Sequence, residues 1–308
     1  MLKFIGKRLI MLIPVVFGIS FIIFAIMSLT PGDPAQMKLG EGASMEAIEA
    51  LRNKMGLNDP FFVRYIKYLG ACLQGDFGTS YRTGLPVLEE IITRFPVSLR
   101  MAFFGIGLSV LLGVPLGVLS AVKQYSVFDI FSLTFALLLT AIPAFFLGLL
   151  LLLVFSLNLG WLPATGADTW MHYILPTLTL GASATATITR LTRSSMLEVI
   201  RQDYVRTAKA KGAAPMRVIW KHVLRNAIMP IVTVAGMNFG VQLGGTVVIE
   251  SVFAMPGMGS LMITAVRMKD IPVVTATVMF VAVAIGLANL VVDILYTYID
   301  PRVRSQYV

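Results

Sequence analysis

Charge is what this sequence has least of. Only 13% of its 308 residues are Asp, Glu, Lys or Arg, while 57% are hydrophobic and the mean hydropathy is +0.83. A soluble domain carries about 25% charged residues, so this composition excludes an ordinary water-soluble enzyme and a disordered chain. One cysteine, Cys72, excludes an intrachain disulfide. The two histidines, His172 and His222, stand far apart in the chain, and no Cys/His or Glu/His spacing suits a metal centre. No G-x-x-x-x-G-K-[ST] loop is present to cradle a nucleotide, and no serine has a base and an orienting group placed for it. A catalytic role within the membrane is therefore not expected.

What is present is a series of long apolar runs. Six are read as membrane-spanning helices, from Leu9 to Leu29, Val97 to Val122, Ile130 to Phe155, Tyr173 to Thr189, Ala227 to Ile249 and Pro272 to Ile299. A helix needs roughly 20 residues to cross the hydrocarbon core, and most of these runs reach that length. The fourth is the shortest and is rich in threonine. No run alternates as a barrel strand would. The first resembles a signal peptide, with Lys3, Lys7 and Arg8 ahead of it, but it is too long and lacks a small-residue cleavage site. It reads as an uncleaved anchor.

Charge sets the direction. With the N-terminus inside, residues 1–8, 123–129, 190–226 and 300–308 face the cytoplasm and carry 15 Lys and Arg. Five acids (Asp129, Glu198, Asp203, Asp300 and the membrane-edge Asp293) leave that side at +10 and the other at −1. The positive-inside rule supports both termini in the cytoplasm, and this orientation explains the net +9 without nucleic acid. The expected division is an anchor helix at 1–29, an outer segment at 30–96, a transmembrane core at 97–300 that includes the inner loop 190–226, and a tail at 301–308. In the outer segment, Ser44 with Ala47, Ile48 and Leu51 predicts a short capped helix.

The span interiors hold almost no ionisable residues, which ion-coupled carriers use. A pathway without an energy source of its own points to a partner that supplies one. The inner loop 190–226 is the natural contact. Asp203 to Lys211 has helix-forming composition, Gly212 suits the left-handed position that ends a helix, and Pro215 suits the first turn of the next. A short helix displayed on a loop can dock in a groove of a soluble partner. The basic residues Arg206, Lys209, Lys211, Arg217 and Lys221 serve equally well to hold the loop inside or to touch anionic lipid.

Asp203-Tyr204-Val205-Arg206-Thr207-Ala208-Lys209-Ala210-Lys211-Gly212, followed by His222-Val223-Leu224-Arg225-Asn226-Ala227, resembles the coupling loop of binding-protein-dependent ABC importer permeases. The match is to the dipeptide/oligopeptide/nickel branch. Arg206-Thr207-Ala208 stands where the broader importer motif has Glu-Ala-Ala. The resemblance extends along the chain through Thr30-Pro31-Gly32-Asp33-Pro34, Gly75 to Tyr81, Gly84-x-Pro86-Val87, Arg190 to Ser194, Glu250 to Phe253, Pro256 to Gly259 and Asp300-Pro301-Arg302. A short N-terminus and a long outer loop resemble the first, B-type, of two permease subunits.

This resemblance implies an all-α type I importer permease with a cytoplasmic coupling helix, in a bacterial or archaeal cytoplasmic membrane. It implies a second permease, two cytoplasmic ATPases that bind ATP and Mg, and an extracytoplasmic binding protein. No cofactor falls to this chain. It assigns ATPase coupling to Asp203, Tyr204, Arg206, Thr207, Ala208, Lys211 and Gly212. The expected cargo is dipeptides or oligopeptides, with nickel or glutathione as alternatives, and a self-sufficient channel or secondary carrier is the competing class.

Asn238, Gln242 and Thr246 lie four residues apart on one face of the fifth span, as pathway-lining residues or as interhelical hydrogen-bonding groups. Gly236, Gly240 and Gly244 form a neighbouring stripe expected to pack closely. Glu250 and Phe253 are candidates for an outer gate, a binding-protein contact or a plain loop role. Pro143 and Pro176 are expected to kink their helices, and Trp161 and Trp170 to anchor at the membrane interface.

Overall fold

The structure is a computed structural model and describes residues 2–40 and 42–299. Asp300-Pro301-Arg302 and the 301–308 tail therefore lie outside the described residues. Among the described residues there is no strand, only an isolated bridge between Thr79 and Pro86. The α-helices among the described residues follow in order: α1 Leu2–Leu29, α2 Pro34–Leu39, α3 Met45–Lys54, α4 Phe61–Leu73, α5 Val87–Val122, α6 Val127–Ala141, α7 Ala144–Leu151, α8 Ile174–Ile200, α9 Asp203–Ala210, α10 Pro215–Arg217, α11 Arg225–Gly245, α12 Val247–Val252, α13 Met258–Arg267 and α14 Ile271–Ile299. Seven-residue π-helical stretches, Leu152–Asn158 and Val218–Leu224, extend α7 and join α10 to α11.

Among the described residues, four helices are long and apolar enough to cross a membrane: Ile5–Leu29, Val87–Val122, Pro215–Gly244 and Ile271–Ile294. The expected third span is not one straight helix. It breaks at Ile142 and Pro143, where the axis turns by 100°. Pro143 cannot donate a backbone N–H and disfavours helix at the residue before it, so α6 stops and α7 restarts. Counted as one span, the bent pair makes a fifth. The expected fourth span is helical, as α8, but its threonine, serine and arginine content keeps it out of that set. Pro176 lies in the first turn of α8, where its missing N–H breaks no intrahelical hydrogen bond.

The contacts divide the chain into two units. One joins Leu2–Ser98 to Pro256–Gly286. Its core brings Phe24 and Met27 of α1, Tyr65 of α4 and Val87 and Ile91 of α5 together with Met258, Leu261, Val273 and Val274. Phe61 and Tyr65 meet the α1 aromatics edge-on or tilted, as aromatic quadrupoles prefer. The outer segment is more helical than expected. Ser44 caps α3 as anticipated, accepting from the Ala47 N–H at 3.2 Å, and α4 follows it.

The branch motifs of this unit act as polar ties. Asp33 caps α2 through the Ala35 N–H (3.0 Å) and accepts from Arg52 Nε and Nη2, both at 2.8 Å. Ser80 Oγ donates to Asp270 at 2.6 Å, and the Ser98 hydroxyl accepts from the Met258 N–H at 2.8 Å. Lys269 Nζ donates to the Thr30 and Gly32 carbonyls at 2.6 and 3.3 Å. A side chain at Gly32, where φ is +117°, would collide with that ammonium. Burial pushes the Tyr81 phenol up to about 12 and raises the Cys72 thiol above its ordinary value.

The other unit holds Leu99–Met255 and, among the described residues, 287–299. It is organised around α8. Glycines of α5 allow close approach: a Cβ on Gly113 would lie 2.9 Å from Ile188, and one on Gly117 2.5 Å from Thr192. Ser109 Oγ bridges the same helices by donating to the Gly181 carbonyl at 3.0 Å. Gly236 meets Val292 so closely that any Cβ would overlap it, so the expected close packing holds at that position, whereas Gly244 is exposed.

Candidate coupling surface and pathway residues

The loop after α8 has the predicted form. α9 runs from Asp203 to Ala210, Gly212 takes φ +76°, and Pro215 opens the next helix. The Gly212 N–H closes the turn on the Lys209 carbonyl at 2.9 Å, and the Ala213 N–H reaches Ala208 at 3.2 Å. A Cβ at Gly212 would meet nothing within 4 Å, so backbone conformation alone selects glycine here.

One residue fixes α9 to the molecule. Val205 is fully buried in a core with Val118 of α5, Ile188 and Met196 of α8, and Val218 and Val223 of the π-helical stretch. The opposite face points outward. Asp203, Tyr204, Arg206, Thr207, Lys211 and Gly212 are exposed, and Ala208 is half-buried. Partial burial raises the Tyr204 phenol above its ordinary value. Arg206 stands 3.9 Å from Asp203 with both side chains open to solvent, a pair that contributes little and leaves both free for a partner. The helix is thus held by one apolar point and displays a polar surface.

Sequence reasoning missed a polar clamp between α6 and α8. Arg193 of α8 donates to Asp129 of α6 through Nε at 2.6 Å and Nη2 at 2.7 Å. Asp129 is 1% exposed and also accepts from the Ser120 hydroxyl and the Tyr125 N–H. A bidentate guanidinium with further donors is what a buried carboxylate requires. The clamp ties the α5–α6 turn to α8 ten residues before α9 begins. Both residues were visible in the sequence, Asp129 as an inner acid and Arg193 within the Arg190–Ser194 motif, but nothing there paired them.

The polar stripe of α11 is largely internal. Gln242 and Thr246 are buried and Asn238 is half-buried. Thr246 Oγ1 donates to Glu250 at 2.7 Å, and Gln242 Oε1 lies so close to Gly105 of α5 that a Cβ there would stand 2.7 Å from it. Gln242 Oε1 and Asn238 Nδ2 are buried without a hydrogen-bond partner within the chain. Glu250 and Phe253, expected near the outer surface, are 0% and 1% exposed, with Phe253 packed on Gly148 of α7.

Two family models match along the chain. Residues 1–102 match the N-terminal region of binding-protein-dependent transport system membrane components, and residues 113–305 match the binding-protein-dependent transport system inner membrane component. The chain belongs to this family of ABC importer permeases. It is 43% identical over 304 residues to the glutathione transport system permease protein GsiC of Escherichia coli, covering 99% of both chains. The corresponding protein of Salmonella paratyphi A is 44% identical with the same coverage. The inward-facing MetNI methionine ABC transporter superposes with a TM-score of 0.59 at 18% identity, over 69% of this chain and 97% of that one. The permease fold is therefore that of a type I importer. Helix α9 falls within the region 113–305 matched to the inner membrane component.

Proposed function

We propose that this chain is the first of two permeases in an importer for short peptides, glutathione among them, driven by two ATPases and loaded by a binding protein. It crosses the bacterial inner membrane six times, with α8 and the bent α6–α7 pair each counted once and both termini in the cytoplasm. ATP and Mg belong to the ATPases. The observation that carries this reading is α9: it is anchored by Val205, stopped by Gly212, and exposed at Asp203, Tyr204, Arg206 and Thr207. Such a knob suits a groove on a soluble partner, and its rigid seat passes motion into α5, α8 and α11. The relatives named for glutathione support a peptide cargo. Affinity purification of the tagged chain should recover an ATPase pair, and reconstituted uptake should stop when ATP hydrolysis is blocked. Uptake by the chain alone would refute the reading.

Asn238 and Gln242 are proposed to reach the pathway in the working complex. Their unmatched amide groups suit transient contacts with a peptide backbone. Cysteines at these positions should react with water-soluble maleimide in one nucleotide state of the complex. Protection in every state would assign the stripe to helix packing.

A further inference from the structure

The first unit carries a basic cleft that the transport reading does not use. Two cavities of about 230 and 280 Å³ share Arg64 and Ile271. Five cations line them, Arg52, Lys54, Arg64, Lys67 and Lys269, against two carboxylates, Asp33 and Asp59. Both carboxylates are already taken, Asp33 by Arg52 at 2.8 Å and Asp59 by Lys67 Nζ at 2.7 Å. Glu49 also answers Arg52, at 3.2 Å, and Asp270 is turned to Ser80 and the Arg82 N–H.

Three cations remain without a carboxylate among the described residues. Lys269 is 8% exposed, yet its ammonium finds only neutral carbonyls. Lys54 stands at the rim. Arg64 lies over the Phe24 ring at 5.6 Å and donates to no acceptor among the described residues, so its planar fork is open to an oxyanion. A half-buried guanidinium beside a buried ammonium is a demand for negative charge.

Position identifies the source. Met27 and Ser28 lie in the last turn of the first membrane-crossing helix, Thr30 follows its end, Ile271 opens the last, and all four line the smaller cavity. The cleft therefore lies at the depth where hydrocarbon gives way to headgroups. We propose that it holds the phosphate of an anionic phospholipid, with Arg64, Lys269 and Lys54 as ligands and Met27 and Leu57 beside the glycerol.

The test uses the full chain, solubilised from vesicles of phosphatidylcholine and phosphatidylglycerol in equal parts, with retained lipid counted by native mass spectrometry. Phosphatidylglycerol should be enriched over phosphatidylcholine. Arg64→Gln and the rim variant Lys54→Gln should each reduce that enrichment about fivefold, the weight of one basic group beside a phosphate. Arg82→Gln, which removes an exposed cation outside the cleft, should not. Equal retention of both lipids, or enrichment unchanged in Arg64→Gln and Lys54→Gln, would overturn the proposal. Displacement of the lipid by millimolar glutathione or inorganic phosphate would overturn it too, by making the cleft a site for soluble anions.

Discussion

At the scale of single residues, the Asp129–Arg193 pair is a bidentate ion pair with its carboxylate fully buried. Two charges removed from water are tolerable only together, and removing one strands the other. Asp129→Asn should therefore destabilise the folded permease by about 3 kcal/mol, seen as a lower thermal midpoint in detergent. Adding Arg193→Gln to that variant should recover part of the loss, since no buried charge is then left alone. A double variant less stable than Asp129→Asn would show that Arg193 has a second role. The pair was not legible in advance because its members are 64 residues apart. Gln242 was legible as one of a stripe, but its seat against Gly105 depends on where α5 lies.

At the scale of elements, the turn between α9 and α10 was readable because its signals are local, a glycine stop and an N1 proline, whereas the anchoring of α9 by Val205 depends on α5 and α8 and was not. Gly212→Val keeps the open space but forces a β-branched residue to φ +76°, where an ordinary residue costs about 1–2 kcal/mol. That variant should insert normally but lose transport and ATPase recovery, whereas Gly212→Asn should keep most of both. Equal activity in the two variants would mean that the turn carries no motion. Other elements escaped the reading. Helix α4 was hidden in an outer segment of mixed composition, although Phe61, Tyr65 and Tyr68 follow a helical period. The 100° turn at Pro143 was foreseeable as a break but not as an angle, which neighbouring helices set.

At the scale of the whole molecule, the bent α6–α7 pair decides parity. Each half, Val127–Ala141 and Ala144–Asn158, has 15 residues, short of the roughly 20 that cross a bilayer alone. If the pair dipped in and returned, every later segment would change sides, and nine Lys and Arg between 190 and 226 would face outward, against the positive-inside rule. A crossing pair keeps them inside. With Cys72 replaced by serine, a cysteine at Ala210 should therefore be labelled only from the cytoplasm and one at Met45, 75% exposed, only from the other side. Labelling of both from one side would make the pair re-entrant. Family and helix content were plain from composition and motifs. The joining of residues 2–98 to 256–286 was not, because helical sequence carries no record of distant partners.

That joining also has a consequence in time. Ser80 waits for Asp270, 190 residues later, and Thr30 for Lys269, 239 residues later. At roughly 5–20 residues per second, a ribosome takes about ten seconds to most of a minute to make that stretch. Until then Phe61, Tyr65 and Val87 lack half of their core. The first part of the chain to be made is thus the last to be finished. For that interval its survival rests with chaperones and proteases at the membrane rather than with its own fold.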